Sequence, residues 1–286
     1  MTYHLKYVSN SGRVVEFGLQ HGIVITGNTD LTSVHTEIYL SQGFRQVGGV
    51  FQGDSVQARV ITINGEVMGA VHEHRRALLD AIVPQIGGKL VYRALGRSEE
   101  WEMVVFAEKS PAISNHLANA KFQFIVKAPH PYWRSAGGSS EGLAGSFAQF
   151  YFPHDFGTPI IFEQEMERRS VDVYNTGNVP IRFRATFKAM SPFSNPTITN
   201  VVTREFVRIN RNFQTGETVV LDMRVTPPSV ISTVGGIETS IPGALDINST
   251  LFSLMPGSNT VQADADTNRS GMICIIDYHI EHTAPH

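Results

Sequence analysis

The chain has 286 residues with a formal net charge of -3 at pH 7, and it is 42% hydrophobic and 17% charged. It is long enough for two domains of about 100–150 residues each, and too apolar for wholesale disorder, which needs low hydrophobicity with high net charge. Near-neutrality speaks against sequence-specific nucleic-acid binding, where affinity comes from a basic stripe neutralising phosphates, and a lone cysteine, Cys274, excludes an intrachain disulfide.

Period-2 alternation dominates the chain. Strands are predicted near residues 3–8, 13–17, 22–26, 34–40, 45–52, 56–63, 88–94 and 101–108. The opening Met1-Thr2-Tyr3-His4-Leu5-Lys6 lacks the basic-then-apolar layout of a signal peptide. No apolar run approaches the roughly 20 residues of a membrane span. The expectation is a product folded in a cytosol, with no membrane insertion. Between the strands, Gly69 to Val83 places Val71, His74, Leu78 and Ile82 at three- and four-residue steps, with Arg75, Arg76 and Asp80 off that stripe. Pro84 stops the run, so it predicts a helix of about four turns packing one face on a sheet.

In Lys121-Phe122-Gln123-Phe124-Ile125-Val126-Lys127, residues Phe122, Phe124 and Val126 share a face. Pro129 and Pro131 then end the strand, because proline donates nothing to a ladder. Ala136-Gly137-Gly138-Ser139-Ser140-Glu141-Gly142 reads as a flexible linker. The expected organisation is an N-terminal domain over 1–133, a Gly/Ser-rich linker over 134–150, and a C-terminal domain over 151–286. Beyond the linker, strands are predicted near 158–163, 170–175, 181–188, 204–210, 218–225, 260–265 and 272–280. The cleanest is Ile181-Arg182-Phe183-Arg184-Ala185-Thr186-Phe187-Lys188, apolar at every odd position. The fold class is mainly β, built from half-buried antiparallel sheets, with one packed helix in the first half.

Four stretches carry a family resemblance. Arg59-Val60-Ile61-Thr62-Ile63-Asn64-Gly65 leads to the helix with Arg75-Arg76-Ala77-Leu78-Leu79-Asp80-Ala81-Ile82, then Pro84 and Gly88-Lys89-Leu90. Phe122 to Trp133 forms a strand with an aromatic-proline exit. Tyr174-Asn175-Thr176-Gly177-Asn178 with Pro180 reads as a hairpin. Leu251-Phe252-Ser253-Leu254-Met255-Pro256-Gly257-Ser258-Asn259-Thr260 follows the pattern S-x-F-x-L-x-P-G-x-N, except that Ser249 stands three residues before the phenylalanine. In this order and spacing, over nearly the whole chain, they resemble the distal tail proteins of long-tailed siphophages. The resemblance implies a ring-forming N-terminal β domain with one helix and a galectin-like C-terminal β-sandwich. It also implies a structural, non-enzymatic role in the virion. There six copies would form a hub joining the tail tube protein to the tail-associated tip protein, with receptor-binding proteins as further partners at the tail tip or baseplate.

A closed ring needs a heterologous interface, one patch meeting a different patch on the next subunit. The segment Ile38 to Phe51, including Gly43-Phe44-Arg45-Gln46-Val47-Gly48-Gly49-Val50-Phe51, is glycine-rich, aromatic and weakly charged. Phe44, Val47 and Phe51 are therefore the candidate inter-subunit contacts, set against an ordinary hairpin inside one domain.

The search for chemistry yields neither a catalytic site nor a cofactor or metal site. Gly138-Ser139-Ser140-Glu141-Gly142 matches G-x-S-x-G, but a nucleophile elbow needs a strand before the serine and a helix after it. His72 and His74 are two apart on a helix and do not face each other. Asp277, His279 and Glu281, near His282, would share a strand face, as would Glu163, Glu165 and Glu167; solvated faces account for both. The rival function is a carbohydrate-binding module contacting the host cell wall, with Tyr151, Phe152 and Tyr174 as stacking platforms. Trp101 and Trp133 suit core or boundary packing instead.

Overall fold

The computed structural model describes residues 3–27, 29–115, 119–144 and 170–286. The strand expected near 158–163, the glutamates 163, 165 and 167, and the aromatic residues Tyr151 and Phe152 lie outside the described residues. Among those described, the molecule is mostly β, and it divides into two compact units, 1–137 with 281–286, and 138–280.

In the first unit the strands are β1 Tyr3–Ser9, β2 Val14–Phe17, β3 Ile23–Ile25, β4 Thr36–Ser41, β5 Val50–Val56 and β6 Arg59–Met68. After helix α1, Val71–Ala81, come β7 Gly88–Ala94, β8 Trp101–Ala107, β9 Ala112–Ile113, β10 Asn119–Ala128 and β11 Trp133–Ser135. The main sheet runs β2-β1-β7-β8-β10-β6-β3. Its longest pairing is antiparallel β10 on β6, from Asn119 opposite Met68 to Ala128 opposite Arg59. A bridge between Gly18 and Ile23 ties the end strands β2 and β3 at their shared turn, so the sheet curls back on itself. Alternation sends Leu5, Tyr7, Ile61, Ile63, Phe122, Phe124 and Val126 inward. Helix α1 covers this sheet at β1, β2 and β6 through buried Val71, Leu78 and Ala81, with Ile82 at its end. The helix stops short of Pro84 because the residue before a proline disfavours helical geometry.

The second unit contains β12 Ser139–Ala144, β13 Val171–Asn175, β14 Arg184–Ala189, β15 Phe193–Ser194, β16 Thr197–Asn200, β17 Phe206–Arg208 and β18 Asn212–Phe213. It continues with β19 Thr218–Asp222, β20 Ser229–Val234, β21 Ile237–Ser240, β22 Gly257–Asp264 and β23 Met272–Tyr278, while β24, Glu281–His282, belongs to the first unit, where it pairs with β11. One sheet runs β12-β23-β14-β19-β20-β21 and another β13-β22-β16-β17. Their inward residues, among them Val173, Phe183, Phe187, Ile198, Leu221, Val261 and Ile276, form one core, which makes the unit a β-sandwich.

Two expectations need correction. Trp133–Ser135 and Ser139–Ala144 are strands where the composition suggests a flexible linker over 134–150. Ser139 to Gly142 gain their order from ladder bonds to β23, from Tyr278 to Ile275, and propensity yields to that pairing. The strand expected near 45–52 begins only at Val50. Arg45 and Gly48 hold positive φ, 62° and 78°, which breaks the extended run and turns residues 42–49 into a loop.

Candidate assembly surface

The ribbon β4–β5 is a separate two-stranded sheet. Its register sets Thr36 opposite Val56, Glu37 opposite Ser55, Ile38 opposite Asp54 and Tyr39 opposite Gly53. After a bulge it continues with Leu40 opposite Phe51 and Ser41 opposite Val50. Directly paired residues share a face and neighbours alternate. One face therefore carries Ile38, Leu40, Phe51 and Val56 around Asp54, and the other carries Glu37, Ser55, Tyr39, Ser41 and Val50. At the base, the backbone N–H of Gln57 donates to the carbonyl of His35 at 2.9 Å. At the tip, Gly43 N–H donates to Gln46 Oε1 and Gln46 O accepts from Gln42 Nε2, both at 2.9 Å. The Arg45 guanidinium stands 5.3 Å from the Phe44 ring centre.

The three residues singled out in the sequence all lie on this ribbon and all are open to solvent, Phe44 at 93%, Val47 at 100% and Phe51 at 61% relative exposure. Ile38, Leu40 and Val50 are exposed with them, and Val56 completes the stripe. Sequence reasoning missed Val56 because the break at the tip and the bulge at Tyr39/Leu40 shift the parity between the strands.

The stretches that carry the resemblance prove to be structural pins. Buried Asn175 donates from Nδ2 to the carbonyls of Val179 and Leu254 at 2.9 and 3.0 Å, and its Oδ1 accepts from Gly177 N–H at 2.8 Å. Buried Asn259 donates to Met255 O at 2.7 Å and accepts from Met255 N–H at 2.8 Å, closing a turn in which Gly257 holds φ +96°. Each asparagine replaces missing backbone partners, as buried polar groups require. In Arg59-Val60-Ile61-Thr62-Ile63-Asn64-Gly65, the glycine sits opposite Phe122 across the ladder, and the ring covers it.

The residues tested for chemistry are dispersed or occupied. Ser140 lies within paired β12 and its Oγ donates to Asp277 Oδ1 at 2.7 Å, not at a strand-to-helix turn. Glu281 pairs with His130 at 2.9 Å, and His74 Nδ1 lies 3.1 Å from Met68 O. Among the described residues no group of three or more His, Cys, Asp or Glu is placed to hold a metal ion. Trp101 and Trp133 are both buried core residues. Cys274 is buried in β23, and burial pushes its thiol far above the ordinary range. Tyr174 points outward from β13, beside the hydrogen bond from Thr260 to Asp172.

Residues 176–279 match the family model of the siphovirus-type tail component, C-terminal domain. These residues are a siphovirus-type tail component domain. The match covers the C-terminal part of the chain and lies within the second unit. In fold it is similar over 97% of its length, and 98% of the other, to the crystal structure of Dit (gp 19.1) of phage SPP1, with TM-score 0.68 and 12% identity. That protein is described as a paradigm of the hub adsorption apparatus in phages infecting Gram-positive bacteria. A chain of the phage P2 baseplate in its activated conformation with Ca aligns over 97% of this chain and 98% of that one, with TM-score 0.48 and 10% identity. No curated protein matches in sequence. The two-unit, mainly β chain therefore shares the fold of that phage protein, with the matched tail-component domain in the second unit.

Proposed function

We propose that this tail component is the hub of the tail tip, a closed ring of identical subunits, hexameric by resemblance, that joins the tail tube to the tail-associated tip protein. Its first unit, residues 1–133 in the sequence reading, would form the ring, and its second, 151–286, would stand as the sandwich. The observation that carries this reading is the β4–β5 ribbon. An isolated two-stranded hairpin is marginal in water, yet this one presents four large apolar side chains on one face and two more at its tip. Covering such a side chain fully is worth about 1.5–3 kcal/mol. A ribbon on one subunit that meets a different patch on the next is a heterologous contact, and its repetition closes a ring. Near-neutral charge suits a ring around DNA, because a strongly basic channel would retain its cargo.

The variant Phe44→Ser/Val47→Ser/Phe51→Ser tests this directly. Its side chains are exposed, so the fold stands, and light scattering is expected to show the assembled state lost or weakened at least tenfold in concentration. Assembly equal to that of the unaltered chain would exclude the ribbon as the interface.

Tyr174 supports a second reading, carbohydrate contact by the outward face of the β13-β22-β16-β17 sheet. An exposed aromatic beside Asp172 and Thr260 is the arrangement that stacks on a sugar ring and holds its hydroxyls. Binding of the chain to immobilised wall glycans, lost in Tyr174→Ala, would favour it; no binding would remove it.

A further inference from the structure

The last residues of the chain pack on the first unit around its two tryptophans. Residues His282 and Glu281 pair antiparallel with Trp133 and Arg134. Arg59 is buried and forms no ion pair among the described residues. Its guanidinium donates instead to the carbonyl of Leu31 at 3.0 Å and to that of Thr283, while its Nε has no hydrogen-bond partner. Trp133 Nε1 donates to the same Leu31 carbonyl at 2.9 Å. The buried Trp101 ring meets His282 edge-on and His286 at a tilt, each at 5.0 Å between centres, and the two imidazoles are themselves 4.4 Å apart.

A buried guanidinium held by backbone carbonyls depends on the segment that supplies them, since an unpaired buried charge is heavily penalised. Two imidazoles 4.4 Å apart on an indole tolerate neutrality far better than two like charges. We infer that Glu281–His286 is a pH-sensitive strap of the first unit, closed over Arg59 and Trp101 when His282 is neutral and loosened when it is protonated.

The groups around His282 pull in both directions. Burial lowers its pKa most, the charge of His286 adds to that, and Glu99 opposes both. Glu281, next along the strap, faces His130 at 2.9 Å, a contact that works against loosening of the strap. The charge of Arg134 is spent on Glu102, which also takes Lys89 at 2.7 Å. Asp30 lies near Arg59 with its carboxylate already accepting from Thr32 and Ser33. A histidine whose pKa is lower folded than unfolded stabilises the fold while neutral. That contribution is fully present at alkaline pH and declines as the pH falls through the unfolded value of about 6.5.

Hydrogen exchange of the full chain at pH 7.5 and 5.0, expressed as protection factors, tests the strap. Peptides covering 281–286 and 29–34 are expected to lose at least tenfold in protection at pH 5.0, while peptides of β14 and β19 in the second unit hold theirs. His282→Gln/His286→Gln should flatten that dependence. Because His286 is exposed, His286→Gln alone leaves the fold intact and should reduce the loss at least threefold. Equal protection of the strap at both pH values, or an undiminished dependence in either variant, overturns the proposal.

Discussion

Single residues decide where the fold tolerates no change. An added Cβ on Gly65 would stand 2.3 Å from Phe122 Cζ and 2.4 Å from the Val24 carbonyl oxygen, and the backbone oxygen cannot swing away. Gly65→Ala is therefore expected to cost about 1–3 kcal/mol, the usual penalty of overpacking, read as a shift of the urea midpoint; an unchanged midpoint contradicts the packing described. Cys274 should be inert, since it is fully buried with its thiol held protonated. An aromatic disulfide reagent is expected to label it only after denaturation, and rapid labelling of the native chain would contradict that burial. The apolar residues announced themselves in the sequence, but the buried polar ones did not. Nothing in the type or spacing of Arg59 says it lies inside. The same holds for Glu217, whose carboxylate sits 3.0 Å from Arg211 and accepts from Ser232 at 2.7 Å. The approach of Arg211 Nε is poorly aligned for a hydrogen bond, so charge rather than direction holds that pair.

At the scale of elements, pattern length governed what could be read. The ten-residue β10 and the strand at Arg184–Ala189 follow alternation closely, and α1 follows its i, i+3, i+4 stripe. Strands of two or three residues, such as β9, β15 and β18, have no period to detect and exist because a partner pairs with them. The ribbon was legible as an apolar, glycine-rich hairpin, but its faces were not, since a bulge and a loop with left-handed Arg45 intervene. Helix α1 offers a contrast between its two sides. Leu78→Ala should cost about 2–5 kcal/mol, as deletions at fully buried positions do. Asp80→Ala, which removes exposed pairs to Arg13 and Arg76, should cost less than about 1 kcal/mol. Thermal denaturation of the two variants side by side tests the orientation of the helix, and comparable losses would contradict it.

At the scale of the whole molecule, the first unit carries the candidate interface and the strap, and the second carries the tail-component match. The most solvent-open large apolar side chains described in the first unit, Phe44 and Val47, lie on the β4–β5 ribbon. In the proposed assembly, the ribbon is the surface that meets the neighbouring subunit. The most direct measurement is electron microscopy of the purified chain over a concentration series, with mass by light scattering on the same samples. Closed rings with a central opening, at a whole multiple of 31.5 kDa and six subunits by resemblance, are the predicted result. A monomer at every concentration would contradict the hub assembly proposed for this tail component.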